Sequence, residues 1–185
     1  MATAKTKSKK SAPETTEIAE ESALHELFVD SLKDIYWAEQ HLVKALAKMA
    51  KKATSEELRT SIETHIAETE NQVTRLESVF ELIEEKAAAK KCEAMAGLIK
   101  EGEEIMSETE DGSITRDVGI IAAAQKVEHY EIASYGTLKT LAATLGLDEA
   151  VEILDATLQE EKKTDGLLTE LAEAGINQTA KSEKK

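Results

Sequence analysis

The sequence predicts an all-α fold, a four-helix bundle, on three observations. The chain has 185 residues and a single proline, Pro13, so the strongest helix breaker is absent from all that follows. Hydrophobic residues make up 41% and charged residues 32% of the chain, a balance typical of amphipathic helices. Apolar residues recur at steps of three and four in four long segments, and this length suits one domain.

The two ends of the chain differ in charge from the rest. Residues 1–20 are predicted to be a disordered basic tail, and residues 178–185 a second short tail, on either side of a bundle at residues 21–177. The whole chain carries a formal charge of −14, so the bundle itself is more acidic still. Solvated tails are the simpler interpretation, and a basic arm that contacts nucleic acid or an acidic partner is the alternative.

The first helix is predicted from about Glu21 to Lys52. Its apolar stripe contains Leu24, Phe28, Leu32, Ile35, Leu42, Leu46 and Met49. Ser55 is a good N-cap and is followed by two acidic residues, so a second helix is predicted to begin there and to run to about Lys86. The stripe of the second helix contains Leu58, Ile62, Leu76, Val79 and Ile83.

A weaker pattern follows, with a short helix predicted around Glu93 to Met106. The third long helix is predicted from about Thr115 to Leu145, where Gly146 provides a C-cap. Asp148 is predicted to cap the fourth, which ends at Gly175. Two short loops and one connection of roughly thirty residues make two antiparallel hairpins with a long crossover, which is the ferritin-like arrangement.

Carboxylates interrupt the apolar stripe of every long helix. The interrupting residues are Glu39 in the first helix, His65, Glu68 and Gln72 in the second, Glu128 and Glu131 in the third, and Glu161 and Asp165 in the fourth. Glu39 lies about as far before the first hairpin turn as His65 and Glu68 lie after it, and the second hairpin is matched in the same way. We therefore expect these groups near the middle of the bundle.

Converging carboxylates with an imidazole favour a site for two divalent metal ions, because hard oxygen ligands neutralise and bridge such ions. The predicted ligands are Glu39, His65, Glu68, Glu128, Glu131, Glu161 and Asp165, with Gln72 as a residue that supports them. Glu160 lies on an adjacent stripe and could replace Glu161. The alternative is a metal-free network of carboxylates and histidine, satisfied by water and hydrogen bonds.

Several of these segments resemble the YciF-like bacterial stress proteins of the ferritin-like superfamily. The resembling segments are residues 32–40, 65–69 with Gln72 and 75–77, 92–99, 127–136 and 174–177. The resemblance covers about residues 21–177 and implies a ferritin-like bundle, a homodimer, a link to stress, and a di-iron or di-manganese centre. This sequence departs from the usual di-iron pattern, because His65 precedes Glu68 and the fourth helix has no histidine.

Two functions from different classes remain open. One is a metal-dependent oxidoreductase, a ferroxidase or a catalase-like enzyme, which acts on peroxide, dioxygen or Fe²⁺. The other is a metal-free, non-catalytic stress protein whose polar centre is vestigial. In either case a homodimer is predicted, because some apolar residues exceed the needs of one core. These residues are Trp37, Phe80, Met95, Leu98 and Ile99.

Composition excludes other partners. A body this acidic is a poor nucleic-acid binder, because phosphates require positive charge. No apolar run approaches the length of a membrane span, and no signal peptide is predicted. The single cysteine, Cys92, predicts a partly buried thiol in a reducing cytoplasm. The histidines outside the centre, His25, His41 and His129, are interpreted as surface or flanking groups.

Overall fold

A computed structural model of the protein describes residues 22–184, and all the regular secondary structure within them is helical. The N-terminal tail predicted over residues 1–20 lies outside the described residues. The five longest helices are α1 (Ala23–Lys52), α2 (Glu56–Leu82), α3 (Glu93–Glu108), α4 (Ile114–Leu145) and α5 (Asp148–Leu171). A π-helical turn, Ala172–Ile176, leads from α5 into α6 (Asn177–Lys181).

Serine side chains begin three of these helices. The hydroxyl oxygens of Ser22, Ser55 and Ser113 accept hydrogen bonds from backbone N–H groups three residues ahead, at 3.1, 3.4 and 3.1 Å. The prediction of a cap at Ser55 is thus confirmed. At the other end of α4, Gly146 has a φ of 74°, the left-handed conformation that a glycine C-cap provides, as predicted.

Two predicted helix ends differ from the structure. α2 ends at Leu82 rather than Lys86, because the chain turns at Glu84, whose φ of 55° is incompatible with a continuing helix. Gly175 does not stop the fourth long helix, since the π-helical turn absorbs it and the chain stays helical to Lys181. Asp148 is the first residue of α5, and no side chain caps that helix.

The segment predicted as a C-terminal tail is also placed against the bundle. α6 takes up its first residues, and the Glu183 carboxylate accepts hydrogen bonds from the backbone N–H groups of Ile114 and Thr115, at 2.7 and 2.9 Å. These two groups are among the unpaired donors that every helix N-terminus presents, so the acid is attracted there. The sequence prediction failed because the partner lies at the start of a distant helix.

The four long helices form the predicted bundle of two antiparallel hairpins. α1 packs against α2 and α4, and α5 packs against α4 and α2. Asp117, in the first turn of α4, accepts hydrogen bonds from the backbone N–H groups of Thr54 and Ser55 at 2.8 and 2.7 Å. The start of α4 therefore lies beside the turn of the first hairpin, and the crossover must span the whole bundle. The ferritin-like topology is confirmed.

The crossover runs back along α1 before it forms α3. The N–H of Lys90 donates to the carbonyl of Lys33 at 3.0 Å, and α3 then packs against α1 and α4. Two glycines allow this close packing. A Cβ at Gly102 would lie 2.8 Å from the Met49 Cε atom, and one at Gly119 would lie 2.5 Å from Ile105 Cγ2.

Burial corrects three smaller predictions. Phe80 and Met95 are fully buried in the core of their own chain, so their prediction as dimer surface is wrong. Phe80 packs edge-on against Tyr36, with ring centroids 5.7 Å apart. His25 is buried too, although the sequence analysis interprets it as a surface or flanking group. None of the helices in residues 22–184 combines the length and apolar character that a bilayer crossing requires.

Candidate metal centre

The four bundle helices bring five predicted ligands together at mid-bundle. Glu39 comes from α1, His65 from α2, Glu128 and Glu131 from α4, and Glu161 from α5. Each of them is at most 3% exposed. Each continues an apolar stripe at a spacing of three or four residues, so the helical period that buries the leucines also points these polar side chains inward.

Four of the five residues form a compact group. His65, Glu128, Glu131 and Glu161 each offer one ligand atom, and these atoms all lie within 4.8 Å of one another. Glu128 and Glu131 share one face of α4 because they are three residues apart. An imidazole with three carboxylates at such distances is a suitable donor set for a divalent transition-metal ion.

The His65 ring contacts different groups through its two nitrogens. Nε2 lies 3.3 Å from Glu128 Oε1 and 3.9 Å from Glu161 Oε2. Nδ1, on the opposite edge, lies 3.6 Å from Glu68 Oε2 and 3.5 Å from Thr164 Oγ1. Burial lowers the pKa of His65, but the adjacent carboxylates of Glu128 and Glu68 outweigh burial and raise that pKa well above its usual value.

Glu39 lies beside this group and is held by a tyrosine. The hydroxyl of Tyr135, itself fully buried, donates a hydrogen bond to Glu39 Oε1. Burial raises the pKa of Glu39 to about 7, against the lowering effect of that hydrogen bond. Burial and the charges of Glu39 and Glu161 raise the pKa of Glu131 well above its usual range. Without metal, Glu39 and Glu131 therefore hold protons more readily near neutral pH than exposed carboxyl groups do.

The structure separates Glu161 from its neighbour Glu160. Glu160 forms a bidentate pair with the Arg75 guanidinium, at 2.6 and 2.7 Å, and lies partly exposed. Glu161 points into the centre, where burial raises its pKa to about 10. Gln72 links the two, because its amide nitrogen donates to Glu160 Oε2 at 3.1 Å and to Glu161 Oε1. Gln72 thus has the supporting position predicted for it.

Two other predicted ligands, like Glu39, lie outside the compact group. Asp165 Oδ1 accepts a hydrogen bond from Gln125 Nε2 at 3.1 Å and lies 3.4 Å from His129 Nε2, at the flank of α4. Glu68 lies on the other side of the His65 ring from Glu128. Its Oε1 atom is 3.8 Å from the ammonium nitrogen of Lys163. The structure therefore places Asp165, half-buried, against the flank of α4 and Glu68 at the rim of the centre.

Unpartnered buried atoms show how the centre fits a cation. Seven buried side-chain atoms of the described residues have no hydrogen-bond partner, and all belong to this region: Glu39 Oε2, His65 Nε2, Gln72 Oε1, Glu128 Oε2, both oxygens of Glu131, and Glu161 Oε2. Buried polar atoms are normally paired, so their convergence indicates a missing partner. Six are oxygens, the ligands that hard divalent ions prefer.

The sequence did not reveal some of the supporting contacts. Thr164 beside His65, and Arg75 beside Glu160, depend on pairings between α2 and α5 that no local pattern encodes. Asp117 was missed for the same reason, since its partners lie more than sixty residues earlier.

Comparison with known proteins gives consistent matches over nearly the whole described chain. A family described as "Domain of unknown function (DUF892)" matches residues 23–181. Protein YciF of Escherichia coli strain K12 is 46% identical over 160 residues, which span 86% of this chain and 96% of that protein. These matches confirm the resemblance that the sequence motifs indicate.

Two solved structures are similar as well. The crystal structure of the E. coli stress protein YciF matches with a TM-score of 0.80 and 46% identity, over 84% of this chain and 98% of that one. YcfI of Rhodopseudomonas palustris, described as a putative structural protein, matches with a TM-score of 0.78 and 41% identity, over 84% of this chain and 96% of that one.

Proposed function

The chain belongs to the DUF892 family, and we propose that it is a stress-associated protein that holds two divalent metal ions, Fe or Mn, at the bundle centre. Its proposed substrates are peroxide, dioxygen or Fe²⁺. The association with stress rests on its similarity to the E. coli stress protein YciF. The single observation that carries the metal proposal is the convergence of unpartnered buried carboxylate oxygens.

Charge balance supports two ions rather than none. Burial of one unpaired carboxylate costs several kcal/mol, and this centre contains four, Glu39, Glu128, Glu131 and Glu161. Two divalent cations carry four positive charges, so they would neutralise the four carboxylates without any proton. His65, Glu128, Glu131 and Glu161 would hold one ion, and Glu39 with Glu131 is available to the other.

The chain's own residues prepare this centre. Tyr135 keeps a proton on its hydroxyl and directs it at Glu39, and Gln72 fixes the orientation of Glu161. Leucine and isoleucine side chains above and below exclude bulk water, because they continue the same stripes. Redox-active ions bound here would supply Lewis acidity and electrons for the conversion of peroxide or dioxygen.

Elemental analysis tests the proposal. Protein purified without chelator is expected to contain Fe or Mn near two ions per chain, and the double variant Glu39→Ala with Glu128→Ala is expected to contain none. The matched control is Glu63→Ala with Glu70→Ala, two exposed acids on α2, which should keep the metal. Wild-type protein that is metal-free and gains no thermal stability with added Fe²⁺ or Mn²⁺ would disprove the proposal.

The second candidate function is a metal-free structural role. The description of the R. palustris relative as a putative structural protein favours it, as do the hydrogen bonds that Tyr135 and Gln72 already donate to Glu39 and Glu161. In this case a proton on Glu131, whose pKa burial raises, would help to stabilise the centre. The metal-free result of the same elemental analysis would support it.

The homodimer remains a prediction, and we propose the cytoplasm as the location. Cys92 is a free, buried thiol, as a reducing compartment allows.

A further inference from the structure

A groove of about 280 Å³ lies between α2 and α5 and extends inward as far as His65. Its lining includes Glu57, His65, Glu68, Lys163 and Thr164. A water molecule occupies about 30 Å³ of liquid, so the groove has room for a small hydrated ion. We call it the α2–α5 groove.

His65 forms the wall between this groove and the buried carboxylates. The groups near its Nδ1, Glu68 and Thr164, line the groove, whereas the groups near its Nε2, Glu128 and Glu161, belong to the centre. The ring thus faces the groove with one edge and the compact group with the other. A rotation of this side chain would connect the two spaces.

The lining of the groove suits a cation. Glu57 and Glu68 provide carboxylates, and four of the other lining residues carry hydroxyls that can replace water ligands. Lys163 is the one lysine or arginine of the lining, and its ammonium group lies 3.8 Å from Glu68 Oε1. The Lys163 side chain is 75% exposed, against 27% for Glu68, so the lysine can move into solvent while the carboxylate stays.

We propose that divalent cations reach the buried centre through the α2–α5 groove, that Glu68 is the carboxylate that receives them, and that Lys163 slows this step by neutralising Glu68. This inference rests on the proposed function, since it assumes that the centre binds metal. It also assigns Glu68 a different role from the one the sequence predicts. Glu68 captures the ion at the rim and passes it to His65, rather than holding it at equilibrium.

The role predicts an effect on rates rather than on affinity. Without the Glu68 charge, the local attraction for cations falls, and electrostatic focusing of this kind changes association rates by about tenfold or more. Removal of the Lys163 charge acts in the opposite direction. The equilibrium affinity should change little, because the compact group of His65, Glu128, Glu131 and Glu161 is intact in both variants.

Stopped-flow mixing of metal-free protein with Co²⁺ tests the proposal, with visible absorbance of the bound ion as the signal. We expect Glu68→Gln to load about tenfold more slowly and Lys163→Ala about threefold faster than wild type. The control variants Glu70→Gln and Lys162→Ala change neighbouring exposed residues and should load like wild type. Calorimetric titration of all five proteins measures the equilibrium affinity.

Each result has a distinct meaning. Slower loading by Glu68→Gln with unchanged affinity supports the inference. Wild-type loading rates in both groove variants, in a protein that binds Co²⁺, would overturn it and leave the proposed function standing. A Glu68→Gln variant that loses affinity would also overturn it, because Glu68 would then be a ligand. A wild-type protein that binds no Co²⁺ would remove the proposed function together with this inference.

Discussion

Metal-free protein is expected to become less stable as the pH rises from 5 to 7. The cause lies in the buried carboxyl groups, whose folded-state pKa is higher than in the unfolded chain. Such a group binds a proton in the folded state that it loses on unfolding, so its stabilising effect is complete at low pH and declines as the pH rises towards the folded pKa. His65 acts in the same direction, because its pKa is also raised.

The size of the effect follows from two pKa values. Burial raises the pKa of Glu39 from 4.5 to about 7 and that of Glu161 from 4.5 to about 10. As the pH rises from 5 to 7, each group with a pKa raised in this way lowers the free energy of unfolding by about 2 kcal/mol. Glu68 and Glu160 have lowered pKa values, and their stabilising effect is lost only below about pH 4.5, so they do not offset this decline.

Urea unfolding of chelator-treated protein at pH 5, 6 and 7 measures this decline. Glu39→Gln removes one titrating group with little change in shape, so its decline should be about 2 kcal/mol smaller than in wild type. Glu70→Gln, an exposed control, should retain the wild-type decline. A wild-type unfolding free energy that rises with pH over this range, or a Glu39→Gln variant with an unchanged slope, would refute the reasoning.

Three further predictions concern single contacts and assembly. Tyr135→Phe leaves Glu39 Oε1 without its hydrogen bond, and the free energy of unfolding in urea is expected to fall by about 2 kcal/mol. Added Mn²⁺ should reduce this loss, because the ion would give Glu39 a new partner. Asp117→Ala removes the acceptor of two backbone N–H groups and should lower the free energy of unfolding by about 3 kcal/mol. Asp148→Ala is the control and should lower it much less, because Asp148 begins a helix that no side chain caps. Sedimentation equilibrium is expected to give the mass of a homodimer at micromolar concentration, and a monomer mass would remove that prediction.

Periodicity was sufficient to predict the bundle and most of its centre. A helical stripe defines which residues face inward, so Glu39, Glu128 and Glu131 could be selected as polar residues at apolar positions. The same reasoning could not choose between Glu160 and Glu161, because these two residues lie on adjacent stripes of one helix and both stripes face roughly towards the core. That choice depends on Arg75, which lies on another helix and pairs with Glu160.

The predictions that failed depend on distant partners in the same way. Asp165 follows Glu161 by four residues, but it faces Gln125 and His129 of α4, so a slightly different rotation about α5 takes it out of the centre. The predicted C-terminal tail is held by backbone groups at the start of α4, which a sequence pattern does not show.

The division of the acids between the two hairpins bears on how the protein folds. The first hairpin contributes Glu39 and His65, and the second contributes Glu128, Glu131 and Glu161. Each half can form early through local contacts, but closure of the halves brings like charges together out of water. Closure of the two hairpins is therefore coupled to the neutralisation of these charges. The protons or cations that are available at that step help to determine how fast the chain folds.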